Sequence, residues 1–515
     1  MRLINSKVLV AATGVLLALA GCSQDLTIPD GNAPDTKRAL STPADVAALA
    51  TTSIQTWQDA NSEMNGTESM AVMADALTSS FNNFGMNKSS SEPRVGIQNN
   101  TTGGDYTSMV QDPWYNNYTA LGEANDVLRA IAGGITIGTA TADSTKSYQA
   151  LAMLAQGLAL GSIALYFDQG WVLDENTPVN PPFSVDSVKK YPDVAAGALA
   201  KLDAVIAMSQ PGAYPALPDN ALPIPGVHLT PENIAKIANT MAARIIAYLP
   251  RNSADNDAAD WARVLAYAQK GISTGTAFDF SIQEDGGTVW WDGGKAYGDY
   301  GPWMRVSMRV MHEMNPALPV RYTECHSVPE DAAGFADARY ATDFTYLSDI
   351  PFQCARGAWH FSNWEHSRWG TKAVAGDVTW YSQTFTGVAP IVLAAENDLL
   401  MAEALVRSNG DLGQAATLIN NTRVGRGHLT PATAADGAAT LLADIQYEQD
   451  VELLDTGGGL QWFNRRRIDG LQPGTPHHFP IPAKELEIDQ LPIYTFGGAA
   501  PNPICGDEVS VCTNQ

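Results

Sequence analysis

Residues 145–167, TKSYQALAMLAQGLALGSIALYF, are rich in Ala and Leu and close on Leu165-Tyr166-Phe167. Small residues recur in this stretch at Ala150, Ala152, Ala155, Gly157, Ala159 and Gly161. They recur again in 230–249 at Ala235, Ala238, Ala242 and Ala243. Small side chains inside helices let the helices approach closely, so the stretch predicts a stack of packed helices. Working outward, Thr42-Pro43 and Thr230-Pro231 each place a capping hydroxyl before a first-turn proline. Helices are predicted from Pro43 to about Asn61, Glu68 to Ser79, Pro113 to Ile131, 192–209, 257–271, 390–408, 411–423 and 434–455. Pro-rich loops at 172–184 and 210–227 interrupt the pairs.

The predicted class is mainly α, a tetratricopeptide-like array of helical pairs without a strict repeat consensus. Between 275 and 390 helical periodicity gives way to Gly, Trp, Tyr and Asp, which predicts an irregular insertion held by short strands. The chain divides accordingly into N-terminal helical pairs at 41–274, the insertion at 275–390, a C-terminal helical region at 391–470 and a closing segment at 471–515. With 515 residues, 45 % of them apolar and 17 % charged, most of it can fold. The formal charge of −24 argues against nucleic acid, whose phosphates require Lys and Arg, and against docking on an anionic membrane through a basic patch.

Residues 1–21 combine a basic start (Arg2, Lys7) with an apolar run from Val8 to Ala20, the layout of a secretory leader. Leu19-Ala20-Gly21-Cys22 resembles a bacterial lipobox. The resemblance implies cleavage before Cys22 and its diacylation, and two or more acyl chains suffice to hold a soluble domain at a bilayer. Residues 22–40 then read as a tether, and no later segment is expected to span a membrane. Four further cysteines, Cys325, Cys354, Cys505 and Cys512, suggest disulfides in an exported chain. The simplest of three pairings joins Cys505 to Cys512 and Cys325 to Cys354.

Several segments carry a family resemblance, in order, over most of the chain. They are Trp114 to Tyr118 with Ala124-Asn125-Asp126-Val127-Leu128, then Ala150 to Trp171, then Ala395-Glu396-Asn397-Asp398-Leu399-Leu400-Met401-Ala402-Glu403-Ala404. Gly413 to Ala416, Ile419 to Arg423, Glu448 to Leu454, Trp462 to Arg466 and Phe479 to Leu486 follow. Together they resemble the SusD/RagB family of outer-membrane nutrient-binding lipoproteins. Gln449, Gln461 and Asp489 depart from its pattern. The resemblance implies a SusD-like fold, a surface-exposed lipid anchor in the outer membrane, and a SusC-like TonB-dependent transporter as partner. Arg423 and Arg465 to Arg467 read as structural, capping helix ends and pairing with carboxylates such as Glu403 or Glu452.

Seven of the 12 Trp fall between 290 and 380. Sugar C–H faces lie flat on indole rings, so Trp290, Trp291, Tyr297, Trp303, Trp359, Trp364 and Trp369 are candidate ligand contacts. Asp292, Lys295, Asp299, Asn363 and Glu365 stand nearby to take hydroxyls, and Phe81 and Phe84 are placed to complete the surface.

No nucleophile elbow, zinc-protease motif, phosphate loop or dinucleotide fingerprint is present. No catalysis, cofactor or metal is therefore expected. Asp255, Asp257 and Asp260 read as helix-start acids, and His477-His478 as a surface pair. The expected function is binding of a nutrient, a glycan or a peptide with oligosaccharide foremost, for delivery to the transporter. A surface glycoside hydrolase and a protein-binding helical scaffold are the alternatives.

Overall fold

The computed structural model describes residues 40–100, 105–139, 141–178, 187–276, 278–286, 289–331, 334–369, 386–498 and 512–513. The N-terminal helices are α1 (Pro43–Ser62), α2 (Met64–Met73), α3 (Asp105–Ala132), α4 (Thr145–Tyr166), α5 (Tyr191–Met208), α6 (Pro231–Tyr248) and α7 (Trp261–Ala268). The short helix α8 (Gly293–Gly298) follows, and then α9 (Ala394–Arg407), α10 (Leu412–Arg423), α11 (Gly437–Val451) and α12 (Leu460–Arg467).

Helix α4 packs against α1, α3, α5 and α6. Its small residues set those distances. A Cβ on Gly157 would lie 2.6 Å from Leu202 of α5, and one on Gly161 2.5 Å from Ile245 of α6. By length and composition α4 could cross a membrane, contrary to the expectation for this part of the sequence, but most of it is buried inside the array. α9 and α10 form a second antiparallel pair, which packs on α11, while α9 also meets α7.

Capping follows the sequence. Thr230 accepts from Asn233 N at the start of α6, and Asp260 from Arg263 N at the start of α7. The predicted 257–271 helix is instead a short turn, Ser253–Asp257, followed by α7, because Asn252 and Asp260 each cap a separate start. α2 ends at Met73 rather than Ser79, since Leu77–Thr78 is a strand. α3 begins at Asp105 and runs through Pro113, where Gly66 of α2 packs against the proline ring and the Met109 carbonyl. Residues 390–392 belong to a strand, not to α9.

Strand β1 (Leu77–Thr78) pairs antiparallel with β3 (Arg305–Val306), and β2 (Phe280–Asp285) with β6 (Thr386–Val392). Between them in sequence, β4 (Phe344–Tyr346) pairs with β5 (Trp364–His366). The β2–β6 ladder brings together the two ends of the stretch 280–392. Cys325 and Cys354 are disulfide-bonded within it. Residues from Pro43 onward form one compact unit.

The motif arginines serve the architecture. Arg467 donates to Glu403 at 2.6 and 2.8 Å, Arg423 pairs with Asp444 at 3.2 Å, and Glu396 pairs with Arg244 at 3.2 Å. Arg466 caps the C-terminal ends of α4 and α6 through the carbonyls of Leu165 and Tyr248. His477 and His478 are buried rather than on the surface, the second against Phe496 with ring centroids 4.3 Å apart.

Candidate functional site

The β1–β3 ladder launches two loops side by side, 79–90 from one strand and the segment before Arg305 from the other. Ser79 Oγ donates to the Trp303 carbonyl at 2.8 Å and ties them together. Four rings from these loops and α8 form a continuous run. Phe84 meets Tyr297 at 5.1 Å, Tyr297 meets Trp303 at 5.3 Å, and Trp303 meets Phe81 at 5.3 Å, each pair tilted or edge-to-face. All four are half-buried, with Phe352 beneath Phe81 at 6.0 Å.

Phe84 adopts φ +54° and ψ +22°, the left-handed region that a bulky L-residue rarely occupies. Gly85 follows at φ +75°, and a Cβ there would lie 2.6 Å from Met109 Sδ of α3. The turn is thus pressed onto α3, and the strain at Phe84 holds its ring in line with Tyr297. Backbone strain of this kind concentrates at ligand clamps.

α8 aims Tyr297 outward while its other residues face inward. Asp292 caps it by accepting from Lys295 N at 2.9 Å, and Lys295 Nζ returns to the same carboxylate at 2.6 Å. Trp291 is half-buried, with its carbonyl accepting from Gln58 of α1 at 2.7 Å.

Two candidate platform residues are corrected to core. Trp364 is 0 % exposed, on the inner side of β5 among Phe335, Tyr340 and Tyr346, and Trp290 is 6 % exposed. Asp292, Lys295, Asp299, Asn363 and Glu365 are likewise buried, so none of them is a rim group. Trp359 and Trp369 are half-buried but stand apart from the run. Trp359 donates to the Ser90 carbonyl at 3.1 Å, and Trp369 lies under the Arg368 guanidinium at 4.2 Å. Phe352 was not legible as part of the site, because it lies in an aperiodic loop. Cys22, Trp380, Cys505 and the side chain of Cys512 lie outside the described residues.

Beneath α8 is a buried ionic cluster. His366 Nδ1 lies 2.5 Å from Asp299, and one ligand atom each of Asp299, His366 and Asp455 falls within 4.8 Å of the others. These three could hold a metal ion, yet the Lys295 ammonium already supplies positive charge to Asp292 and Asp455. A Cβ on Gly298 would lie 2.6 Å from Asp455 Oδ2, so the approach of that carboxyl requires glycine.

Burial, reinforced by Asp292, pushes Glu284 up to about 9, and burial, reinforced by Asp299, pushes Asp455 up to about 8. Unfolded, such groups titrate near ~4. The folded chain therefore keeps protons that the unfolded chain loses. This contribution to stability is complete below about pH 4 and disappears as pH rises through about 8–9. Glu403 behaves oppositely. Burial would raise it, but Arg467 holds it below the usual carboxylate range, so its contribution is lost only in acid. The unfolding temperature is expected to fall from about pH 5 to about pH 9, and Glu284→Gln to flatten that slope. A thermal-melt series across pH checks this; an unchanged slope in the variant would refute the assignment to Glu284.

No family model and no curated protein matches the sequence. Solved structures do match. A SusD homolog from Bacteroides thetaiotaomicron has 16% identity and a TM-score of 0.58, covering 87% of this chain and 97% of its own. A SusD superfamily protein from Bacteroides vulgatus has 16% identity and a TM-score of 0.54, covering 91% and 99%. A SusD-like carbohydrate binding protein from the same organism has 12% identity and a TM-score of 0.53, covering 92% and 93%. The matches run over nearly the whole length of those chains, and this chain has the fold of the SusD superfamily structures.

Proposed function

We propose that this protein binds a glycan at the run Phe84–Tyr297–Trp303–Phe81 and delivers it to a SusC-like TonB-dependent transporter of the outer membrane. Cys22 carries the lipid anchor at the cell surface, 22–40 is the tether, and 275–390 is the ligand-binding insertion. The observation that carries the reading is the half-exposed row of rings, with Phe84 held in it at a backbone cost. Such a row offers successive pyranose faces a stacking surface. Asn82 and Gln353, both exposed in the flanking loops, offer amides to hydroxyls. The match to a SusD-like carbohydrate binding protein supports the ligand class. Binding, not hydrolysis, is the proposed activity, and release of reducing ends from a bound polysaccharide would favour the hydrolase instead.

A screen of oligosaccharides by calorimetry and intrinsic Trp fluorescence tests this on the purified protein. Trp303→Ala and Phe84→Ala are expected to weaken binding by roughly tenfold or more, as for the central anchors of other interfaces. Trp290→Phe, a change in the core, is expected to leave it unchanged. Retained affinity in both Trp303→Ala and Phe84→Ala would remove the ring row from the site.

A further inference from the structure

The 79–90 loop, which carries Phe81 and Phe84, is gripped along its length by one other segment. Thr78, at the end of β1, donates to the His360 carbonyl at 3.2 Å. Ser80 is held twice, its hydroxyl accepting from Gln353 N at 2.9 Å and its carbonyl from the Arg356 guanidinium. Phe352 backs the Phe81 ring, and the Ser90 carbonyl accepts from the Trp359 indole at 3.1 Å. Residues 352–360 thus form a brace against which the ring row is set.

The brace lies in the loop between β4 and β5. Its roots are firm, since Leu347 N donates to the Asn363 carbonyl at 2.7 Å and Asn363 Nδ2 to the Leu347 carbonyl at 2.8 Å. Its tip is one tight turn, Cys354–Arg356, with no buried residue. Cys354 in that turn is disulfide-bonded to Cys325. Cys325 belongs to a stretch tied back to the same roots. Val328 N donates to Asn363 Oδ1 at 3.2 Å, and the Tyr346 hydroxyl donates to the Val328 carbonyl at 2.6 Å. The disulfide therefore carries the rigidity of β4–β5 out to the turn that holds Ser80. Both cysteines are exposed, and exposed disulfides are the ones open to thiol attack. At the other end of the row Phe84 owes its place to α3, through Gly85 and Met109, and not to this brace.

We propose that the Cys325–Cys354 disulfide is a redox-sensitive positioning element for the Phe81 end of the ring row. A dithiol opens it by ordinary exchange. One reductant thiolate attacks a cysteine sulfur, the S–S bond breaks, and the other cysteine leaves as a thiolate that takes up a proton. The second reductant thiol then displaces the remaining cysteine and closes the reductant's own disulfide, so the protein gains two thiols as the dithiol is oxidised. A cross-link acts by limiting chain freedom. Without it the turn leaves Ser80 in a larger share of molecules, and Phe81 loses the backing of Phe352. That this weakens glycan binding rests on the function proposed above, whereas the brace is tested without a sugar, so either can fail alone.

Hydrogen exchange read by mass spectrometry, on the purified protein with and without dithiothreitol, makes the test. Reduction is expected to speed exchange about tenfold or more in 80–83 and 353–357, local opening on the scale that a lost cross-link permits, and to leave α4 protected. The Cys325→Ser/Cys354→Ser variant should show the reduced pattern from the outset, with dithiothreitol adding nothing. Faster exchange confined to 321–328 and 353–357 would make the disulfide a staple of its own two loops and overturn the proposal. So would unchanged exchange, a loosening that reaches α4, or a dithiothreitol effect on 80–83 that persists in the variant.

Discussion

Arg339→Met is expected to destabilise the protein by about 3–5 kcal/mol, the range for removing one partner of a buried ionic network. Arg339 is fully buried and faces three buried carboxylates. Its guanidinium meets Asp337 at 2.7 Å, Glu448 at 2.6 Å and Glu452 at 3.1 Å. Glu452 is shared with Arg368 at 3.0 Å and Arg426 at 2.7 Å, and Arg426 also holds Asp343 at 2.8 Å. Asp337, Asp343 and Arg368 come from the segment between β2 and β6, while Glu448 and Glu452 come from α11 and its end. The network therefore clasps that segment to α11. Methionine fills most of the volume but leaves Asp337 and Glu448 without their main counter-charge, so both must take up protons or water. Urea unfolding at neutral pH reads the loss. Adding Glu448→Gln should recover part of it, because the second change removes the stranded charge. A single-variant loss under about 1 kcal/mol would mean that Arg368 and Arg426 already balance the acids.

The same contrast between local and distant causes sorts what the sequence made legible. Thr230-Pro231 could be read as a helix start because cap and helix lie within four residues, and the small residues of α4 could be read as packing faces because helical spacing is local. Pro113 misled for a related reason. A proline suggests a first turn, yet here α3 continues through it, and the packing of Gly66 against it is a tertiary fact. Within 275–390 no periodicity says which way an indole points. Trp364 is core because β4 and β5 pair and bring Phe335 and Tyr346 around it; Trp303 is half-exposed because β3 delivers it beside Phe81. The polar residues near these rings were misread for the same reason, since α8 turns Lys295 and Asp292 inward. Phe84 could be named as a surface ring from its place in the Asn-rich loop, but its positive φ and its contact with Tyr297 are tertiary facts.

Arg466→Met is expected to cost about 3 kcal/mol or more, although Arg466 forms no ion pair among the described residues. Its guanidinium is fully buried. Nη1 donates to the carbonyls of Leu165 at 2.8 Å and His477 at 2.9 Å, and Nη2 to that of Tyr248 at 3.0 Å. Leu165 and Tyr248 end α4 and α6, where unsatisfied carbonyls gather the negative pole of each helix. One cation thus neutralises two helix termini and the closing segment at once, with the rings of Trp462 at 4.7 Å and Phe463 at 4.8 Å below it. Methionine removes three bonds donated by one charged group and strands three buried carbonyls, each costing about 1–3 kcal/mol if nothing replaces the donor. Arg466→Lys should be nearly as harmful, because a single ammonium cannot reach along the fork that spans two helix ends. Equilibrium unfolding of the two variants separates the accounts. If lysine restores most of the stability, the positive charge at the helix ends is what matters; if it does not, the geometry of the fork is, and the stacking of α4 on α6 depends on that one planar group.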